Sequence, residues 1–426
     1  MKTFSKKTIV HLHPEILIYA QLILCCFEYF NDFNISTRYN DFITIAIFIC
    51  CVIKGKKEKT YPVKFVAISF IYILVALIVY EFNDYPIKAY LWGAREIITS
   101  LIFMWGCIKL LEKKDIIKLV KLFYIIFIFN FFMILYQYFR LGLIGDSASG
   151  IFGTTIGNNE FQVIFLLLAT ICTLTLYVNM KIKLKYCILC LSICLIISAI
   201  SELKVYFLLL IFIIILQFIL MKFNKKTVLI AMGSLILLLL FTQLLYKVHP
   251  GYLDLFSIQK LLSYSGGNGY TSKGDVNRLT GLHSVVRYIN YRTSTLLFGI
   301  GLGNGQYILV KGYHINIMSR FYSEYGNFLH YTWFTQTLVF VETGVVGFLL
   351  YIARYIALFI EYIIMTKKNK RIRMYSTIGE MTVLISIFLI FYDSVMQTEI
   401  GIYFSYFLLS VPFVLQNHYS IENKNN

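Results

Sequence analysis

The sequence predicts an all-α polytopic integral membrane protein with about 12 transmembrane helices and one long external loop carrying an amphipathic helix. Three observations predict it. Of 426 residues, 58% are apolar and only 14% charged, whereas soluble domains carry about 25% charged residues. The apolar residues gather in runs near the ~20 that cross a bilayer. The 39 lysines and arginines are distributed unevenly between those runs.

Candidate spans lie near 15–30, 41–53, 62–80, 89–111, 116–139, 160–179, 185–200, 203–221, 226–246, 331–364, 376–395 and 400–416. No short cleavable signal opens the chain, so the first run is expected to be retained. Sorting the cations by alternate sides puts 25 in the termini and the loops near 54–64, 109–121, 181–185, 222–226 and 367–373. The opposite short loops hold only Arg38, Lys88, Arg140 and Lys204. The positive-inside rule therefore predicts both termini in the cytoplasm and the long loop outside. The short run 41–53 is needed for this parity, because without it Lys2, Lys6 and Lys7 would lie across the membrane from Lys54, Lys56, Lys57 and Lys59. The formal charge of +17 is thus a topology signal, and nucleic acid is not an expected partner. The resulting division is 1–246 for spans one to nine, 247–330 for the loop and 331–426 for spans ten to twelve.

All nine cysteines fall inside predicted spans. They read as small buried hydrophobes. Cys187, Cys190 and Cys194 share a helix face without histidine or carboxylate, so no metal site is expected there. Arg95-Glu96 within the fourth span is either a self-neutralising pair or a contact to an anionic ligand. The segment 140–160 holds five glycines among serines, threonines and asparagines, which suits a plain turn or close backbone approach to a ligand. Ser201-Glu-Leu-Lys204 is a tight hairpin, with Lys204 either snorkelling or meeting an anionic head group.

In the long loop, Leu279, Leu282, Val285, Val286 and Ile289 form one stripe at 100° per residue, opposite His283, Arg287, Asn290 and Tyr291. This amphipathic helix is expected to lie on the membrane surface with Arg278 and Arg292 at head-group depth. Gly299, Gly301, Gly303 and Gly305 read as a flexible connector; without a strand and helix around them they do not make a nucleotide loop. Residues 312–330 then supply His314, Arg320, Glu324, His330 and several tyrosines, which suit sugar rings or an interfacial aromatic belt. Glu342, Arg354, Glu361, Glu380 and Asp393 lie within the last spans, more than a passive anchor needs.

Four segments occur in order: Ser149-Gly-Ile-Phe-Gly153 with Asn159, Ser201-Glu-Leu-Lys204, Leu297-Phe-Gly-Ile-Gly-Leu-Gly-Asn304 and Val341-Glu-Thr-Gly-Val-Val-Gly347. Across 149–350 the chain resembles the O-antigen polymerase and O-antigen ligase superfamily, and within it the Wzy-type polysaccharide polymerases. The resemblance implies a metal-independent, cofactor-free enzyme of GT-C-like membrane glycosyltransferase architecture in the bacterial cytoplasmic membrane. Its substrate would be an undecaprenyl-diphosphate-linked oligosaccharide, handled among membrane lipids, with a chain-length regulator protein as a further partner. The family often places a histidine eleven residues before the first glycine of its Gly-x-x-Gly; here that position is Trp333, and His330 lies one turn earlier.

Transfer from a lipid diphosphate requires stabilisation of the departing diphosphate and removal of a proton from the attacking hydroxyl. Arginine stays charged and binds phosphate oxygens through a planar fork. Arg278, Arg287 and Arg292 are the main candidates, supported by Arg320, Arg140, Lys204 and Arg95, with Tyr291 facing the sugar. His330, His314, Glu324 and Asp275 are the candidate bases. A ligase transferring to a lipid A core, or a polysaccharide flippase, are the competing expectations; a flippase would show inverted repeats and short loops.

Overall fold

The computed structural model describes residues 13–27, 36–54, 60–82, 86–221, 233, 274–290, 292–310 and 315–425. The expected ninth span, His314 and Tyr291 lie outside them. The described chain is mostly helical and polytopic. Seven helices are long and apolar enough to cross a membrane, and four shorter apolar helices accompany them.

In order these are α1 (Glu15–Phe27), α2 (Ser36–Ile53), α3 (Val63–Phe82), α4 (Ile87–Leu110), α5 (Lys113–Leu141), α6 (Asn159–Val178), α7 (Leu184–Ile200) and α8 (Lys204–Leu220). Two short helices follow, α9 (Gly281–Ile289) and α10 (Thr293–Phe298), and a two-stranded antiparallel hairpin of β1 (Tyr307–Val310) and β2 (Ile315–Met318). The chain closes with α11 (Thr335–Lys368), α12 (Arg373–Tyr392) and α13 (Glu399–Asn425). Helix α11 packs on α3 and α12, α13 on α4 and α12, and α6 on α7, α8 and α12. Helix α6 is buried on nearly every face, and this explains its all-round apolar sequence.

Helix α5 begins with a capping box in which Glu112 and Asp115 exchange side-chain and backbone bonds. It ends on Gly142 in the left-handed conformation, as a glycine C-cap should.

The glycine run 299–305 is not a flexible connector. Gly301 through Gly305 are buried, and the run is fixed against a break in α11 at Gly344, whose φ is 62° and ψ is −164°. Ile300 N donates to Val341 O at 2.9 Å and Gly301 N to Glu342 O at 2.9 Å. These bonds satisfy carbonyls beside a helix break, which a bilayer interior could not hydrate. The contact is reciprocal: a Cβ on Gly299 would meet the Glu342 carbonyl carbon at 2.3 Å, and one on Gly344 the Leu297 carbonyl carbon at 2.4 Å. Gly303 lies against Ala89 O of α4, where a Cβ would sit at 2.0 Å. Tyr80 at the end of α3 donates to Leu302 O at 2.8 Å and receives Asn304 Nδ2 at 3.0 Å.

Helix α9 is amphipathic as its periodicity predicts, with Val285 and Ile289 buried and His283, Arg287 and Asn290 exposed. Its apolar stripe, however, packs on protein rather than on a membrane surface. Val285 and Ile289 join Ile300, Phe334, Leu338 and Val341 in one cluster. Leu279, expected in that stripe, precedes the helix and is 70% exposed.

Replacing Gly303 by Ala should remove most folded protein, since φ +80° and a backbone oxygen at 2.0 Å leave the new methyl no retreat. Gly157→Ala, at φ +99° with nothing within 4 Å, should cost only the left-handed backbone strain of about 1–2 kcal/mol. Thermal unfolding of the detergent-solubilised variants distinguishes the two.

Candidate functional site

The four segments singled out above pack as two pairs. In the first, the loop between α5 and α6 is stapled by buried amides. Gln137 accepts Gly150 N at 2.6 Å and donates to the carbonyls of Gly150 and Gly153. Asn130 accepts Ile151 N at 3.1 Å, and Gln162 donates to Ser149 O at 2.7 Å. Ser201 of the α7–α8 hairpin donates to Ala148 O, and Asn159 donates to both Asp146 Oδ1 and Ser201 O. The second pair is the glycine run and the broken helix α11.

A polar junction links the pairs. Glu160, next to Asn159, accepts Ser394 Oγ at 2.9 and 3.1 Å. Thr335, the first residue of α11, donates both its N–H and Oγ1–H to Asp393 O at 2.8 Å. Gln336 donates to Arg278 O at 2.7 Å and Phe391 O at 3.0 Å. Arg278 Nε donates to Tyr392 O at 2.9 Å while its guanidinium lies 4.2 Å from the Tyr392 ring centre. Asp393, expected within a span, instead follows the end of α12. One oxygen accepts Val395 N at 3.1 Å and the other is buried without a partner. Burial, and after it the neighbouring Glu160 carboxylate, push the Asp393 carboxyl well above the ordinary carboxylate range, against the pull of Arg278.

Of the loop arginines, Arg278 alone enters this junction. Arg287 is exposed and pairs with His283 Nε2 at 3.2 Å. Arg292 is exposed at the start of α10. Arg320 is exposed and forms an ion pair with Glu324 at 2.8 Å, a surface contact that leaves Glu324 engaged with a cation rather than poised beside the junction. His330 adopts the left-handed conformation and stacks on Trp333, 4.2 Å between ring centres. Arg140 is exposed in the last turn of α5, and Lys204 is half-buried at the first residue of α8. Asp275 is buried near the start of the described loop.

Arg95 and Glu96 form no ion pair with one another among the described residues. Arg95 pairs with Asp41 of α2 at 2.5 Å and lies over Trp92. Glu96 turns instead into a cleft between α3, α4, α11 and α13 that it shares with Glu342, Arg354, Tyr72, Tyr351 and Tyr406. The cleft opens at its mouth, and its interior space amounts to only about 40 Å³. In the sequence Glu342 and Arg354 stand out as too polar for their span, and Glu96 is matched with Arg95 or an anionic ligand rather than with these residues. The one available signal was that neighbours on a helix point about 100° apart. No protein-family model matches the chain, and no characterised protein matches it in sequence.

A raised carboxyl pKa in the folded state favours the protonated form. Asp393 therefore contributes stability below the usual carboxylate pKa of about 3.9, and this is lost as pH rises through its raised folded value. Asp393→Asn keeps the bond from Val395 N, so it should flatten the pH dependence and raise the melting temperature at pH 8 relative to wild type. Melting curves at pH 5 and pH 8 for both proteins provide the check.

Proposed function

We propose that this chain is a metal-independent membrane glycosyltransferase that polymerises undecaprenyl-diphosphate-linked oligosaccharide repeat units. In this reading it moves the growing glycan to the incoming lipid-linked unit on the outer face of the bacterial cytoplasmic membrane. The observation that carries it is the placement of Arg278. It lies where the two pairs of family-like segments join, beside Glu160 and Asp393, fixed by Tyr392 on one side and by Gln336 through its backbone.

Negative charge builds on the diphosphate as its bond to the sugar breaks. A guanidinium already held in position stabilises that charge without reorganising at the moment of reaction. Glu160 and Asp393 lie within electrostatic reach of Arg278, and Arg287 and Arg292, exposed on the same segment, would supply further cations to a diphosphate head group. The energy for transfer is present in the donor's diphosphate ester. Lipid-linked substrates remain in the bilayer, which accounts for an enzyme built into a polytopic bundle.

Purified protein given lipid-linked repeat units should yield a ladder of longer glycans on the lipid. A ligase requires a lipid A core acceptor, and a transporter lengthens nothing. Arg278→Ala should reduce the ladder by about 100-fold or more. Arg278→Lys should also impair it, because an ammonium cannot reproduce the stacked, bidentate fork. Arg287→Ala should abolish polymer while leaving membrane insertion and melting temperature unchanged. A wild-type ladder from Arg278→Ala would overturn the assignment.

A further inference from the structure

Sugar transfer also needs an acceptor for the proton of the attacking hydroxyl, and the bases expected from the loop are unsuited to that task. Glu324 is paired with Arg320, His330 is stacked on Trp333, and Asp275 is buried. A different carboxyl stands beside Arg278. Glu160 occupies the first turn of α6, where the positive end of the helix favours a negative charge. It accepts the Ser394 hydroxyl at 2.9 and 3.1 Å and forms no ion pair among the described residues, so most of its capacity to accept protons is unused. Base and cation are anchored to one short turn: Arg278 Nε donates to Tyr392 O, and Ser394 Oγ donates to Glu160. Exposure separates Glu160 from Asp393. Glu160, Arg278, Tyr392 and Ser394 are half-buried at this surface, whereas Asp393 is 4% exposed. Burial holds Asp393 in its neutral form, so it sets no second negative charge against an ionised Glu160.

We propose that Glu160 is the general base of the transfer, taking the proton of the acceptor hydroxyl on the incoming lipid-linked unit. The inference rests on the polymerase reading and deepens it by assigning the residue that activates the acceptor. As the acceptor oxygen bonds to the anomeric carbon of the donor sugar, the bond from that carbon to the diphosphate oxygen breaks. The hydroxyl proton passes to Glu160. The electron pair of the broken bond leaves with the undecaprenyl diphosphate, whose growing charge Arg278 meets. Glu160 then returns its proton to water at the half-buried surface, and nothing beyond the two lipid-linked substrates is consumed. Ser394 is a positioning residue, since its hydroxyl fixes the carboxylate that does the work.

The test follows glycan ladders made by the full chain in lipid nanodiscs from lipid-linked repeat units, with initial rates taken between pH 5 and pH 9. Wild type should lose rate on the acid side as Glu160 takes up a proton. The other groups that titrate around it are Asp393 across the junction and, on the loop side of α6, Asp146 beside Asn159 and Glu202 beside Gly145, while Arg278 stays charged. Asp393→Asn should therefore keep the acid limb. Glu160→Gln still offers an oxygen to the Ser394 hydroxyl, so it should fold, and it should lower kcat about 100-fold or more with KM little changed and the acid limb gone. Glu160→Asp keeps a carboxylate one methylene short and should recover part of the rate together with the limb; it carries the test if the glutamine variant does not fold. Ser394→Ala breaks the same hydrogen bond but leaves the base, so it should cost at most about tenfold. An intact acid limb or wild-type kcat in Glu160→Gln, or a loss in Ser394→Ala as large as in Glu160→Gln, would overturn the assignment and leave the polymerase reading in place. A wild-type protein that lengthens no glycan would remove that reading, and the assignment with it.

Discussion

The glycine run seated in the broken helix α11 is the contact on which the rest of the architecture depends. A helix that breaks at membrane depth leaves carbonyls that lipid cannot satisfy. Here Ile300 and Gly301 supply the missing donors from a different part of the chain. The donors can approach only because Gly299, Gly303 and Gly344 have no Cβ. That single docking event fixes Glu342, through Gly305, and brings α3, α4 and the loop segment together at one end of the bundle. Local sequence, backbone hydrogen bonding and the geometry of the polar cleft are therefore one linked arrangement.

A second, independent arrangement supports the other side. Asn130, Gln137 and Gln162 are buried amides on α5 and α6 whose hydrogen bonds all go to the 148–153 loop or to each other. In lipid such groups are tolerated only when fully paired. Their pairing turns a glycine-rich loop into a rigid seat for Ser201 and Glu160. Arg278 then sits between these two rigid parts, which gives a loop cation a fixed position.

Much of the fold was legible in the sequence because apolar runs report directly on bilayer thickness. Eleven of the expected spans correspond to described helices, with ends shifted by a few residues where Ser36 and Thr335 open helices that hydropathy alone places differently. The amphipathic face of α9 was legible for the same reason: periodicity reports which side is apolar. It does not report what covers that side, so the stripe of Val285 and Ile289 read as lipid-facing although it meets α11. The hairpin of β1 and β2 went unread because its alternation is short, and Ile308 and Ile317 are buried against Ala89 only through tertiary contact. The site was legible in part. Composition drew attention to the loop arginines, but only Arg278 is held by other elements, and Glu160, Ser394 and Glu96 come from three separate helical regions that no spacing rule connects.

The reciprocal fit of residues 297–305 and 341–347 also bears on biogenesis. The glycine run is synthesised first and leaves the ribosome some forty residues ahead of the break it must fill. Its free amide groups can remain hydrated at the membrane surface, but the exposed carbonyls of α11 have no such refuge once they enter lipid. The break in α11 is therefore satisfied in lipid only once the preceding segment has docked, which couples burial of that helix to its capture.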